Sequence, residues 1–272
     1  KMLVSSMLDT VYTNIRSLII GKIYSSSDLA YYNQGEKFPN VIASNINVSI
    51  DSVLLPTMAS AQDNSGRVKS MTRRAIKTST YIMAPLMMGL AFCAEPIVRL
   101  VLTDKWLPCV SFLRIFCITY MFYPIHTANL NAIKAMGRSD LFLKLEIIKK
   151  VVGMILLIST MWFGVMAMAY SLLVSAVASM MINSWPNRKL LDYAYHEQMK
   201  DIFPSIALAV FMGCCVSVLG LLELSDLITL LMQILFGAGI YIGTSAILKL
   251  EAYEYLMDLL RPVMKQLIRK KR

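Results

Sequence analysis

One stretch constrains this chain more than any other. Residues 38–60 read FPNVIASNINVSIDSVLLPTMAS, long enough and apolar enough to cross a bilayer. Asn40, Ser44, Asn47 and Asp51 interrupt the run at steps of four, three and four, so a helix gathers them on one side. Polar side chains at hydrocarbon depth are costly and face protein or a water-filled cavity. Arg67, Lys69, Arg73, Arg74 and Lys77 follow within one short connection, the pattern of a cytoplasmic loop. A chain built around such a stretch is a membrane protein with a defined orientation and a polar interior.

Composition narrows the class. Hydrophobic residues make up 57% and charged residues 16%, which excludes an ordinary soluble domain. The net charge of +10 sits in connections between apolar runs, so topology and anionic headgroups account for it, and nucleic acid is not an expected partner. The opening KMLVSS lacks the layout of a signal peptide and starts inside an apolar run. The expectation is the C-terminal part of a longer protein whose N-terminal lobe is missing. No Cys-x-x-Cys pair occurs, and His126 and His196 stand apart from other ligand types, so neither a metal nor a cofactor is expected.

The apolar runs predict an all-α polytopic fold of about eight spans at residues 2–23, 38–60, 78–101, 109–133, 148–164, 165–185, 203–223 and 226–248. Alternating spans put the basic segments 61–77, 134–150, 186–202 and the tail after 248 on one side, with few cations opposite, so both ends are expected in the cytoplasm. The outer loops are short; the longest, around Lys22–Lys37 and Glu95–Pro108, cannot house a catalytic domain. The expected organisation is a six-helix lobe over 1–185, a cytoplasmic loop over 186–202, two further transmembrane helices over 203–248, and a basic amphipathic tail over 249–272. That tail reads as an interfacial helix, broken or kinked near Pro262, resting on anionic lipids of the inner leaflet.

Polar residues concentrate in the first, second and fourth spans. Asp9, Tyr12, Thr13 and Arg16 share a face of the first, and Thr119, Tyr123 and His126 share a face of the fourth. These are the helices expected to line an interior; the alternative for Asp9 and Arg16 is a pairing that only holds the bundle together. Ser171, Ser175, Ser179 and Asn183 recur every four residues and read as a ridge for close helix packing, and Gly239 with Gly243 as a packing notch. The last two spans are expected at the periphery.

A family resemblance enters through Ile19-Ile20-Gly21-Lys22-Ile23-Tyr24-Ser25, Leu29-Ala30-Tyr31-Tyr32-Asn33-Gln34-Gly35 and Pro39, continued by Val53-Leu54-Leu55-Pro56, Ala61-Gln62-Asp63 and Arg67. This resembles the connection between the seventh and eighth helices of bacterial polysaccharide flippases, within the multidrug/oligosaccharidyl-lipid/polysaccharide exporter superfamily. Ala30 stands where a glycine is common and Gly35 where an alanine is common. The resemblance implies the second six-helix lobe of a MATE-like transporter plus two helices. It further implies a transporter of the bacterial inner membrane, not an enzyme. Its cargo would be an oligosaccharide linked to undecaprenyl diphosphate, moved by alternating access in lipopolysaccharide or exopolysaccharide biosynthesis. Arg16, Asp9, Thr13, Ser44, Asn47 and Asp51 are then the expected substrate-binding residues. The rival expectation is a drug or small-cation exporter of the same superfamily.

Overall fold

The computed structural model describes the backbone of residues 2–220 and 225–270, and side-chain environments of 12–220 and 225–262. Every element is helical apart from short turns. In chain order they are α1 (Met2–Ile23), α2 (Ser26–Ala59), α3 (Ser65–Phe92), α4 (Ala94–Leu102), α5 (Cys109–Met121) and α6 (Tyr123–Ala135). Then come α7 (Ser139–Thr160), α8 (Val165–Ser184), α9 (Asn187–Leu190), α10 (Tyr195–Leu219), α11 (Asp226–Ile247) and α12 (Glu251–Lys270).

Among the described residues, five helices are long and apolar enough to cross a membrane: α2, the α5–α6 pair, α8 extended to Leu190, α10 and α11. A sixth is the pair α3 and α4, bent by 69°. The remaining two expected spans are α1, which carries Asp9, Arg16 and Lys22, and α7, whose first half carries Asp140, Lys144, Glu146, Lys149 and Lys150. The outer face is apolar as lipid contact requires, with Ile155 61%, Phe211 55% and Leu235 73% exposed.

Several local features depart from the sequence reading, each for a physical reason. The loop expected around Lys22–Lys37 is helix from Ser26 onward. The Ser25 hydroxyl accepts from the Asp28 N–H and the Asp28 carboxylate accepts from the Ser25 N–H, a capping box that starts α2 two residues after α1 ends. The cations Arg67 to Lys77 likewise stand on the opening turns of α3, capped by Asn64, and not in a loop. α12 runs through Pro262 as one helix, without the expected break. The expected α5–α6 span is divided at Phe122, where Pro124 removes a backbone donor at the start of α6.

α2 packs along both α5 and α6, α7 along α8, α10 along α3, and α11 against α10 and α4. The closest approach is at Gly35. A Cβ there would lie 2.7 Å from Phe112 Cβ and 2.9 Å from the Leu113 backbone nitrogen. The seam of α11 is Thr229, Gln233, Gly237, Tyr241 and Ser245, with the Tyr241 hydroxyl donating to the Tyr81 carbonyl at 2.9 Å. The expected packing notch is therefore misplaced. Gly237 meets Val216, whereas Gly239 and Gly243 have nothing within 4 Å among the described residues.

The basic segments meet at one end of the bundle. Arg73 grips Asp201 through two bonds of 2.7 and 2.8 Å, Lys77 reaches the same carboxylate at 3.1 Å, and Tyr193 donates to it at 2.8 Å. Lys77 also pairs with Glu251 of α12, and Lys69 with Asp192. Residues 186–202 are built into this end. Asn129, Asn187 and Gln198 are fully buried and bonded to one another, Asn187 Nδ2 donating to Asn129 Oδ1 at 2.6 Å and Asn129 Nδ2 to Gln198 Oε1 at 2.8 Å. The opposite end is tied by Tyr24, whose hydroxyl donates to the Met161 carbonyl at 2.8 Å and accepts from the Gly164 N–H at 2.9 Å. Gly164 holds φ at +101°, a value few other residues adopt.

Candidate functional site: a polar cavity between five rods

A cavity of about 620 Å³ lies among α1, α2, the α5–α6 junction, α7 and α8. Its rim is formed by the exposed Thr13, Asn14, Asn33 and Asn40, and its floor by the buried Tyr32, Tyr120 and Leu157. Arg16 enters from α1. Its Nη1 donates to the Met168 carbonyl at 2.9 Å and to Ser171 Oγ at 2.7 Å, which fixes the planar head against α8. Both acceptors are neutral, so neither bond cancels the charge.

Opposite it, Glu36 of α2 accepts from the Tyr120 hydroxyl at 2.5 Å and lines the same space. Tyr32 and Phe116 meet edge to face at 5.0 Å and Tyr120 and Tyr123 at 4.5 Å, an aromatic floor that holds these hydroxyls in place. Ser17 Oγ donates to Asn33 Oδ1 at 3.0 Å across the α1–α2 joint. On α7, Gly153 leaves the room that Tyr12 occupies, since a Cβ there would lie 2.6 Å from the Tyr12 hydroxyl oxygen. A cavity with hydroxyl, amide, guanidinium and carboxylate groups can bind a polyhydroxylated or ionic molecule and hold water around it.

The six expected residues meet different fates. Arg16 and Thr13 line the cavity, together with Asn40 from the same α2 ribbon. Ser44 is exposed and donates to the Val41 carbonyl of its own helix at 3.2 Å. Asn47 Oδ1 accepts from Thr127 at 3.1 Å and Asp51 Oδ1 from Asn131 Nδ2 at 2.7 Å, so these two fasten α2 to α6 below the cavity. The side chain of Asp9 lies outside the described residues. Arg16 also braces α1 against α8, so pairing and cavity lining coexist in one side chain.

Sequence reasoning missed two contributors. Glu36 stands seven residues before Ala43 and four after Tyr32, both buried, in a segment too polar for hydropathy to mark as a span. The serines of α8 do more than pack, although Ser175 stands close to Gly153 of α7. Ser171 holds Arg16, Ser175 lines the cavity, and Ser179 and Asn183 continue the line. Their four-residue recurrence, the same signal that marked α2, points to this role.

Fold and cavity together define an all-α polytopic membrane protein whose bundle holds a polar hollow. The same fold occurs in the lipid II flippase MurJ in its inward closed conformation, with a TM-score of 0.72, 19% identity, and coverage of 91% of this chain and 52% of that one. Residues 1–111 match the family described as polysaccharide biosynthesis protein. An uncharacterised membrane protein of the cps region of Klebsiella pneumoniae is 21% identical over 246 residues, 88% of this chain and 50% of that protein. The teichuronic acid biosynthesis protein TuaB of Bacillus subtilis is 21% identical, covering 74% of this chain and 41% of its own length. The lipopolysaccharide biosynthesis protein WzxC of Escherichia coli is 22% identical over 53% of this chain and 29% of its own. The chain is thus similar to polysaccharide biosynthesis proteins, in a match that includes the residues from Ile19 to Arg67, and it spans half or less of the length of these curated proteins.

Proposed function

We propose that this chain supplies one lobe of a flippase that carries an oligosaccharide linked to undecaprenyl diphosphate across the bacterial inner membrane. The observation that carries the reading is Arg16, a guanidinium clamped by neutral acceptors in the wall of a hydroxyl- and amide-lined cavity within an apolar bundle. A sugar headgroup with phosphates needs hydrogen bonds and positive charge at membrane depth, while its polyprenyl tail stays in lipid. Such cargo asks for no bond making or breaking, so the reading is of a transporter and not an enzyme.

The structure-level likeness covers about half of a flippase, 52% of that chain. A second lobe completing the cavity, with access alternating as the lobes rock, is the mechanism this reading adopts. The end bearing Lys69, Arg73 and Lys77 faces the cytoplasm in it, with both termini of this chain on that side and α12 against anionic inner-leaflet lipid. Of the residues expected to bind cargo, the proposal assigns contact to Arg16 and Thr13, adds Asn40, and leaves Asn47 and Asp51 as fasteners.

In cells whose surface polysaccharide depends on the full-length protein, Arg16→Ala lowers that polysaccharide while the protein persists in the membrane. Arg16→Lys, which keeps the charge without the fork, restores part of it. Undiminished surface polysaccharide in Arg16→Ala refutes the assignment. Glu36 favours the rival reading, a drug or small-cation exporter, because a carboxylate in the wall suits a cation. Loss of drug tolerance on gene deletion, with surface polysaccharide intact, selects that rival.

A further inference from the structure

The cavity has a side chamber of about 250 Å³, reached past Tyr123, Leu172 and Ser175, which line both spaces. The chamber continues between α6, α7 and α8 and ends on His126, Lys149, Ser179 and Asn183. Asn183 Nδ2 lies 3.3 Å from His126 Nδ1. With the amide donating to Nδ1, the imidazole proton sits on Nε2. Among the described residues, His126 Nε2 and Asn183 Oδ1 are buried and have no hydrogen-bond partner. One donor and one acceptor on two neighbouring side chains are therefore left without partners, although buried polar atoms are paired almost without exception.

We infer that this chamber is a subsite for a neutral sugar residue of the cargo, and that His126 and Asn183 set cargo selectivity. The inference rests on the flippase reading and adds to it a place where sugars are told apart. A sugar hydroxyl both donates and accepts, and an acetamido group offers N–H as well as C=O, so either supplies the kinds of partner that these two atoms lack. The Tyr123 ring, edge to face with His126 at 6.0 Å, gives an apolar wall for the C–H face of a pyranose. The one cation at the chamber, Lys149, is paired with Glu146 at 2.5 Å, so the chamber offers hydrogen bonds without net charge. That separates it from the main cavity, where Arg16 and Glu36 stand apart as charged groups on opposite walls, Arg16 bonded only to neutral acceptors. Water is the competing occupant, since the volume admits roughly eight molecules at ~30 Å³ each.

The test uses cells that make both the native lipid-linked glycan and a foreign one of different sugar sequence, with the full-length gene product as exporter. The readouts are the ratio of native to foreign glycan at the surface and the amount of protein in the membrane. Asn183→Leu and His126→Phe remove the donor–acceptor pair, and losing two hydrogen bonds lowers the ratio roughly 10- to 30-fold. His126→Gln, which keeps an amide in reach, recovers part of the ratio. An unchanged ratio with normal protein means that the chamber holds water only, and overturns the inference. A parallel fall of both glycans with normal protein means a general role, and overturns it too. Should either variant fail to accumulate, Ser179→Val narrows the chamber from α8 and is read in the same way. If gene deletion leaves surface glycan intact, the flippase reading itself fails, an outcome visible before any variant is made.

Discussion

Gly35→Ala tests the packing on which the cavity depends. A methyl at this position meets Phe112 Cβ at 2.7 Å, the Leu113 nitrogen at 2.9 Å and the Cys109 carbonyl oxygen at 3.0 Å. Ordinary contact begins near 3.5 Å, so about 0.8 Å of separation must be found. Two of the three obstacles are backbone, and the third is a Cβ, so no rotamer change relieves the clash. α2 has to move away from α5 along the joint where Tyr32 meets Phe112 and Phe116. Overpacking of this kind costs about 1–3 kcal/mol, against a helix-propensity gain of about 1 kcal/mol from replacing glycine. The net loss runs up to about 2 kcal/mol, or up to roughly 8 °C in the melting temperature of the purified protein by the scaling for chains of this size. Gly239→Ala is the matched control. It meets nothing within 4 Å among the described residues, so only the propensity gain remains and the melting temperature holds or rises. Size-exclusion profiles of the solubilised protein after heating give both values. A melting temperature for Gly35→Ala as high as that of Gly239→Ala would refute the claimed closeness of α2 and α5. Because Asn33, Glu36 and Asn40 ride on the same turns of α2, the variant also displaces one wall of the cavity.

Three further predictions follow from single contacts. Asp201→Asn removes the charge shared by Arg73, Lys77 and Tyr193; with Arg73 half exposed, the loss is about 2 kcal/mol, smaller than for a wholly buried pair, and thermal unfolding of the purified protein reads it. Tyr24→Phe leaves the Met161 carbonyl and the Gly164 N–H without their shared partner and costs about 1–2 kcal/mol in the same assay. Ser175→Leu fills the passage between cavity and side chamber, so surface polysaccharide falls while protein in the membrane does not; Ser175→Ala, which keeps the passage open, preserves export.

Hydropathy was enough to find most of the rods, because a membrane demands continuous apolar length wherever a helix crosses it. α8 and α11 begin and end within two residues of the expected bounds. The errors fall where local chemistry overrides hydropathy. SSSDLAYYNQGEKF is too polar to look like a span, yet Ser25 and Asp28 start a helix there, and Tyr32 and Gly35 are buried within it. The polar ribbons were legible as ribbons and illegible as roles. Periodicity says which side chains share a face, and nothing about what that face meets. Hence Asn40, Asn47 and Asp51 share one stripe, while the first lines a cavity and the others clasp α6. The serines of α8 went the other way, read as packing alone and found beside open space as well. The small size of serine permits both.

Depth along the helices separates these roles. α2 runs from the Tyr24 end to the basic end, and its cavity residues Asn33, Glu36 and Asn40 all precede Ala43, near its middle, while the clasping Asn47 and Asp51 follow it. α8 runs the same way, and its polar line passes from Ser171, which holds Arg16, through Ser175 and Ser179 to Asn183. Those twelve residues correspond to about 18 Å at 1.5 Å per residue, against a hydrocarbon thickness of roughly 30 Å. One helix thus carries hydrogen-bonding groups across more than half of the apolar layer, beside a cavity at one end and a chamber at the other. A merely structural polar pair needs one partner at one depth, as Asp51 has in Asn131. On the proposed reading, a line of unequal groups, beside open space at Ser175 and Ser179 and ending at an Asn183 with an unsatisfied oxygen, is suited instead to a headgroup several units long.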